Sequence, residues 1–514
     1  MSMPEKYAGP ALAVVATAIA LVVVGKKWGS RNLPYPPGPK GRPIIGNLFD
    51  FPKNPIWEGF ARMAEEYDTD ILHLDLMGSP LVVLNNSDVA TDLLERHSIV
   101  YSDRPRMPMV NELMGCSWSF SMMPYGNTWR IHRKLFHRFF NVSVADQFDD
   151  KIHKAVNVFL HRLSESPERF LKHAHFLTGS LTLSVAYGLN VESESDKFYS
   201  ASEDAMNAFD IALVPGTFLV DVLPILKYIP EWFPGAGFKR FARVAKKNID
   251  GSVNSPFQHV KESLQADTVI TSSFVATCLE ELPELSKDGI DEEAIRGVGG
   301  TIYFGGEETT ASAIKSFFLA ATLHPEVVRL AQQELDEVIG GVRLPDFSDK
   351  PQLPYISAVV KEVLRWRPPT PLGSTHRLTE DDTYKGLFIP AGATIINNTW
   401  AFFRNELVYP DAHAFKPDRF LKDGQIDPEV KDPEQLLFGR GRRICPGRHF
   451  ALRVLFLTVA RTLATFDVSK CLGGDGNPIV PDGKCTPGAI SQPLPFRSDI
   501  KPRSTHALSL IEGH

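Results

Sequence analysis

Residues 438–447 read Phe438-Gly439-Arg440-Gly441-Arg442-Arg443-Ile444-Cys445-Pro446-Gly447, and a long apolar stretch follows. The glycines add no side-chain bulk, so backbone here can pass close to a flat cofactor. Pro446 suits an early position of the next helix, predicted over 447–466. A thiol at a helix N-terminus beside arginines is expected to ionise readily, because the partial positive charge there favours the anion. A lone thiolate in this setting suits an axial iron ligand better than a disulfide or a zinc site. Two plainer readings stay open at this point: a buried structural cysteine and a basic loop cradling an anion. No lysine or Ser/Thr completes a phosphate loop, and the order of elements is wrong for one.

The other cysteines do not offer Cys445 a partner. The chain holds five (Cys116, Cys278, Cys445, Cys471, Cys485), odd in number and widely spaced. That argues against a disulfide scaffold and for a reducing compartment. The His173-Ala174-His175 pair reads as a helix-surface accident rather than a metal site. A net charge of -6, without a dense basic stripe, argues against a nucleic-acid partner.

At the N-terminus, Ala8 to Val24 is apolar and uncharged, about 17 residues, the short end of a membrane span. Lys26, Lys27 and Arg31 follow, whereas Glu5 and Lys6 before it cancel. This asymmetry predicts a single-pass anchor over 1–25 with everything downstream in the cytosol. A cleaved signal peptide is the rival, and the basic and proline-rich sequence that follows favours the anchor. Residues 26–50, with Pro34-Tyr35-Pro36-Pro37-Gly38-Pro39, read as a stiff extended hinge. No repeat or further linker interrupts residues 51–514, which read as one catalytic domain.

Within that domain, Ile71 to Leu84 suggests a hairpin turning at Gly78-Ser79-Pro80. Helices dominate afterwards, so the fold class is mainly α with small β-sheets. Met107 to Met123 holds five of the ten methionines, a composition suited to an irregular apolar surface or to core gaps. Trp129 and Arg133 lie four apart and share one helix face, where an indole N–H and a guanidinium could bind carboxylates. Phe209 to Phe238 is apolar and broken by four prolines, a pattern for a lid or for contact with a bilayer surface, or for an ordinary buried helix pair.

Ile295 to His324 predicts one helix of about 30 residues with an unfavourable middle, Gly305-Gly306-Glu307-Glu308-Thr309-Thr310. Paired glycines cost roughly 1 kcal/mol each against alanine, and threonines can bond back to preceding carbonyls. Acids and hydroxyls at a weakened helix centre suggest a ligand groove and a route for protons. A further helix over 354–367 carries Glu362 and Arg365 on one face, and burying them calls for a third partner such as Arg419. Ile389-Pro390-Ala391-Gly392 reads as a turn in a strand region.

Five features stand in a fixed order: the Trp129/Arg133 helix, Gly305–Thr310, Glu362-x-x-Arg365, Pro417-Asp418-Arg419-Phe420 and the 438–447 loop. Together they resemble the cytochrome P-450 superfamily over practically the whole chain, anchor and hinge included. The nearest likeness is to fungal secondary-metabolism members of the O-methylsterigmatocystin oxidoreductase-like type. The resemblance implies haem b held between the long central helix and the Cys445 loop, with Cys445 as axial iron ligand. It implies Trp129, Arg133, His376 and Arg443 as propionate partners and Glu362, Arg365 and Arg419 as a bracing triad. Glu308 and Thr309 match the family's catalytic acid–alcohol pair, and Glu307, one residue along, is expected to turn away from the site.

The implied activity is monooxygenation of a lipophilic small molecule with O2, one oxygen atom leaving as water. The expected substrate is a terpenoid, with an aromatic or indole-type compound second. The sequence holds no flavin or nicotinamide motif, so electrons are expected from a membrane-bound NADPH-dependent cytochrome P-450 reductase at the endoplasmic reticulum. Arg130, Arg138, Arg440, Arg442 and Arg448 are candidates for its docking face. Two other classes stay open: a haem-thiolate isomerase, dehydratase or peroxide-using enzyme without a reductase, and a non-catalytic haem-binding membrane protein. Glu308 and Thr309 favour monooxygenation over both.

Overall fold

The structure, a computed structural model, describes residues 33–53, 55–268 and 271–513. The expected anchor, Ala8 to Val24, lies outside the described residues. Among those described, no helix is long and apolar enough to cross a membrane.

A single helix, Glu292–Leu323, threads the core for 32 residues, close to its predicted span. It begins where the Asp291 side chain accepts the Ala294 N–H at 2.8 Å and stops before Pro325, which opens the next helix, Pro325–Ile339. Helices Asn127–Phe140, Phe170–Tyr187, Gly237–Gln265, Pro354–Trp366 and Arg448–Thr465 surround it. Its apolar residues face all directions, which only a helix buried on every side can satisfy.

Gly306 sets one of these approaches. A Cβ there would fall 2.7 Å from Thr182 Cγ2, so glycine lets helix Phe170–Tyr187 close in. Gly305, one residue earlier, has nothing within 4 Å of the same position and borders open space.

A four-stranded sheet lies to one side, in the order Ile71–Leu76, Ser79–Leu84, Thr394–Asn397, His376–Arg377. The first two strands are antiparallel and joined by Met77 and Gly78, both at positive φ (54° and 85°). Such a two-residue turn matches the twist of the strands. The predicted turn therefore sits one residue too late, and Pro80 lies inside the strand opposite Asp75. Ser79–Leu84 pairs in parallel with Thr394–Asn397, and the Pro390–Gly392 turn leads into that strand as expected, with Gly392 at φ 84°.

The described part of the hinge is fastened to this sheet and to the separate two-stranded sheet of Asp382–Tyr384 and Leu387–Ile389. Pro34 O accepts the Phe388 N–H at 2.7 Å, Pro37 O accepts the His73 N–H at 2.9 Å, and the Tyr35 ring stacks on His73 at 4.8 Å. A Cβ at Gly38 would fall 2.0 Å from His73 O. From Pro34 onward the segment is part of the fold, because its own carbonyls complete the edge of a strand.

Candidate active site

The cysteine loop is built by two backbone devices. Cys445 N donates to Phe438 O at 2.7 Å, closing the turn, while Gly439 and Gly441 take φ of 74° and 58°. At Gly441 a Cβ would fall 2.3 Å from Leu94 O, so this position has no room for a side chain. The following helix starts at Arg448 with Gly447 as its cap, which leaves Pro446 just outside it. Cys445 faces a cavity whose far wall is the middle of Glu292–Leu323.

The expected ready ionisation of Cys445 needs correction. Burial raises its pKa; the Gly447 and Arg448 N–H groups and the Arg133 and Arg448 charges only partly offset this. The loop alone therefore presents a masked thiol, and a bound metal cation is what such a sulfur needs to be held as thiolate.

Along one edge of the cavity lies a group of cations. Arg443 donates to three backbone carbonyls, Ser102 O at 2.7 Å, Met123 O at 2.7 Å and Phe120 O at 3.3 Å, and its guanidinium sits 4.5 Å from the Trp129 ring centroid. Burial, with Arg133 nearby, pulls its pKa down to about 10 despite Asp103. Arg104 donates to Ser121 O at 2.8 Å and Thr375 O at 2.5 Å; burial and the Arg443 charge bring it down to about 9. His376 Nδ1 contacts Tyr101 O at 2.7 Å, and burial beside Arg104 carries the ring down to about 3, which leaves it neutral.

Asp103, the carboxylate in this group, already pairs with Arg377 at 3.2 Å. Four guanidiniums (Arg104, Arg133, Arg440, Arg443) thus border one cavity with less negative charge than they could balance. A flat cofactor carrying two carboxylates fits that deficit, and Cys445 fits its iron.

The opposite wall carries the polar middle of the central helix. Thr309 Oγ1 donates to Gly305 O at 2.8 Å, the back-bond expected of a threonine at a weakened helix centre. Glu308 reaches the cavity while its Oε1 contacts His175 Nε2 at 2.8 Å. Burial works to raise its pKa, but the His175 hydrogen bond and charge outweigh it and lower it. Between the two walls the lining is apolar, with Met107, Phe209, Leu213, Ile302, Phe304 and Ile490.

Under the cysteine loop's side of the fold, Glu362 and Arg365 form a fully buried pair at 2.6 Å, and Arg419 joins Glu362 at 3.2 Å. Arg365 also donates to Phe403 O, Ala412 O and Ala414 O at 2.7–2.9 Å. Every donor direction of the guanidinium has a partner, which is what makes a buried charge tolerable.

All seven predicted site residues, Trp129, Arg133, Glu308, Thr309, His376, Arg443 and Cys445, line this one cavity. Three readings change. Arg440 is buried, donating to Thr91 Oγ1 at 2.9 Å with its guanidinium 5.6 Å from the Phe402 ring, so it leaves the exposed face assigned to it. His173 and His175 are not surface residues: His173 is buried against Ser166, and His175 holds Glu308. Glu307 stays out of the cavity as expected, but it is fully buried beside His175, not directed at solvent. Arg104 was missed altogether; its position in a loop before the methionine-rich stretch carries no periodicity, and only the fold brings it to His376.

Residues 36–497 match the family model for cytochrome P-450. The chain is 42% identical to cytochrome P-450 monooxygenase COX2 of Coprinopsis cinerea, over 96% of this chain and 93% of that one. It is 39% identical to cytochrome P-450 monooxygenase 98 of Postia placenta (97% and 96%) and 37% identical to tryptamine 4-monooxygenase of Psilocybe cyanescens (94% and 96%). The family uses haem, dioxygen and a redox partner. With a cysteine loop facing an acid–alcohol pair across one cavity, the chain belongs to the cytochrome P-450 family of monooxygenases.

Proposed function

We propose that this protein inserts one oxygen atom from O2 into a lipophilic terpenoid in fungal secondary metabolism, using haem b and electrons from the NADPH-dependent cytochrome P-450 reductase. The observation that carries the reading is the cavity itself, polar at Glu308 and Thr309, basic at one edge, and apolar between. An apolar wall with few polar groups selects a lipophilic ligand.

Bound haem would supply dioxygen activation and C–H oxidation, and a cysteine thiolate holding its iron would favour O–O cleavage. The chain's own residues do the rest. Cys445 would hold the iron, while Arg104, Arg133, Trp129, Arg443 and His376 would hold the propionates. Thr309 offers its hydroxyl to the cavity, and Glu308 carries protons to that side of the helix.

The membrane and reductase assignments rest on surface chemistry. Ile225, Tyr228 and Trp232 are 69%, 71% and 80% exposed on the proline-broken segment, a chemistry suited to a lipid surface. The proposed location is the endoplasmic reticulum membrane, with the body of the protein in the cytosol. Arg130 and Arg442 are exposed and Arg448 half-buried near the cysteine loop, while Arg138 is paired to Glu281 at 2.7 Å. These arginines suit an acidic electron donor, whose reduction rate would fall with salt.

A second reading, an indole-type amine, is favoured by Asp210. This carboxylate borders the cavity, and burial raises its pKa to about 6 against the hydrogen bonds it accepts from the Ile490 and Ala489 N–H groups. An ammonium would relieve that cost.

A spin-state screen of terpenoids and indole amines, followed by turnover with NADPH and reductase in vesicles, tests both. Hydroxylated product that requires reductase and O2 is expected. Product formed without reductase or peroxide would overturn the monooxygenase reading, and amine binding unchanged in Asp210→Asn would overturn the second.

A further inference from the structure

Behind Glu308 lies a buried polar cluster that the cavity does not expose. His175, on helix Phe170–Tyr187, places Nε2 2.8 Å from Glu308 Oε1 and 3.5 Å from Glu307 Oε1. Its Nδ1 is 2.8 Å from the Tyr199 hydroxyl. Glu307 has no exposed surface, and neither of its oxygens has a hydrogen-bond partner among the described residues. The niche is made by Gly179, where a Cβ would fall 3.0 Å from Glu307 Oε1 and 2.6 Å from the Tyr199 ring.

The titratable groups around this cluster come from two further stretches of helix. Lys315 lies further along the central helix and donates to Gln492 Oε1 at 2.7 Å; Tyr303 stands one turn before Glu307; Glu203 and Asp210 share the helix of Tyr199. None reaches Glu307 with full hydrogen-bond geometry, and the Tyr303 hydroxyl and the Lys315 charge favour its anion too weakly to offset burial. A carboxylate in that position, without donor or water-facing surface, is costly, whereas a carboxylic acid is not. Burial raises the Glu307 pKa to about 8. For His175 burial acts against the imidazolium, but the Glu308 hydrogen bond and the two acid charges outweigh it and raise its pKa.

We propose that His175 is a proton-supplying positioning residue for Glu308, with Glu307 as its protonated reserve. The imidazolium N–H bond breaks at Nε2 and an O–H bond forms at Glu308 Oε1; the Glu307 O–H then breaks and restores the Nε2–H. Glu307 is reloaded through His175, whose side chain is 17% exposed and does not line the cavity. Releasing one atom of O2 as water takes two electrons, which the redox partner supplies, and two protons. The cluster stores two protons, one on the imidazole and one on Glu307. The inference rests on the monooxygenase reading for the use of those protons, but not for their location.

Location is tested on resting protein. A protonated carboxyl stretch in the infrared spectrum at neutral pH, lost in Glu307→Gln and kept in Glu308→Gln, is expected. Histidine-labelled NMR should show one imidazolium titrating above 6.5, absent in His175→Gln. Delivery is tested with reductase, NADPH and O2, by the fraction of consumed oxygen released as hydrogen peroxide. In the native enzyme that fraction should rise with pH as His175 deprotonates. In His175→Gln it should be severalfold higher at neutral pH and flat with pH, with the carbon-monoxide spectrum retained. No carboxyl band, a band that survives Glu307→Gln, or a native pH profile in His175→Gln would overturn the proposal. If His175→Gln does not fold, the infrared and NMR results on the native chain and Glu307→Gln decide. A cluster that titrates as stated in an enzyme that forms no product would sink the functional reading alone.

Discussion

Glu362 accepts two hydrogen bonds from Arg365, 2.6 Å from Nε and 2.9 Å from Nη2, with both side chains fully buried. It also accepts the Lys416 N–H at 2.7 Å, so one carboxylate ties helix Pro354–Trp366 to the segment carrying Arg419. Glu362→Ala would leave two buried guanidiniums without a counter-charge. A loss on the order of 3–5 kcal/mol is expected, read from the denaturant midpoint, and Arg365→Lys should also destabilise because an ammonium cannot make the same fork.

Cys445→Ser removes the sulfur without touching the Phe438 O bond that closes its turn. The expected outcome is a folded protein whose reduced carbon-monoxide difference spectrum lacks the thiolate-ligated band. An unchanged band would remove Cys445 from its assigned role.

The two adjacent glycines of the central helix should respond in opposite directions. Gly306→Ala places a methyl group 2.7 Å from Thr182 Cγ2 and should cost about 1–3 kcal/mol through overpacking. Gly305→Ala meets nothing within 4 Å and should stabilise by up to about 1 kcal/mol, while narrowing the cavity. Thermal melts of the two variants, with spin-shift titrations for Gly305→Ala, check both halves.

Asp210 predicts a pH dependence of stability. Its pKa is raised from 3.8 to about 6 in the fold, so the fold favours the neutral acid. That contribution is complete below 3.8 and is lost as pH rises through about 6. Asp210→Asn should therefore gain melting temperature relative to the native chain as pH rises from 4 to about 7, and equal shifts at both ends would contradict the burial argument.

Thr309→Ala removes a hydroxyl from the cavity and its back-bond to Gly305 O. It should lower product formed per NADPH by at least about tenfold if the hydroxyl takes part in proton transfer, with haem content unchanged. Paired NADPH and product assays read the ratio directly.

The long helix, its weak centre, the Glu362/Arg365 face and the cysteine loop were legible in the sequence, because periodicity and glycine placement are local properties. They bounded the fold as mainly helical and put Glu308, Thr309, Trp129, Arg133, Arg443 and Cys445 on the right elements. The turn at Met77–Gly78 was misplaced because Pro80 is a stronger turn signal than methionine, yet the strand tolerates it at an unpaired backbone nitrogen.

Tertiary structure decided which charges are buried and against what. No local pattern distinguishes Arg440, enclosed beside Phe402, from Arg442, which is exposed and bonds the Tyr125 hydroxyl at 2.9 Å. Arg104 and His376, some 270 residues apart, meet only through chain crossings. His175 and Glu308 are separated by 133 positions, and each looks like an ordinary helix residue until the two helices close at Gly306. Helix formation is settled within a few residues of chain, whereas desolvation depends on everything that folds over a group. The sequence by itself thus determined the long helix with its weak centre and the cysteine loop, and only the packed fold determined how Cys445 is masked and what stands behind Glu308.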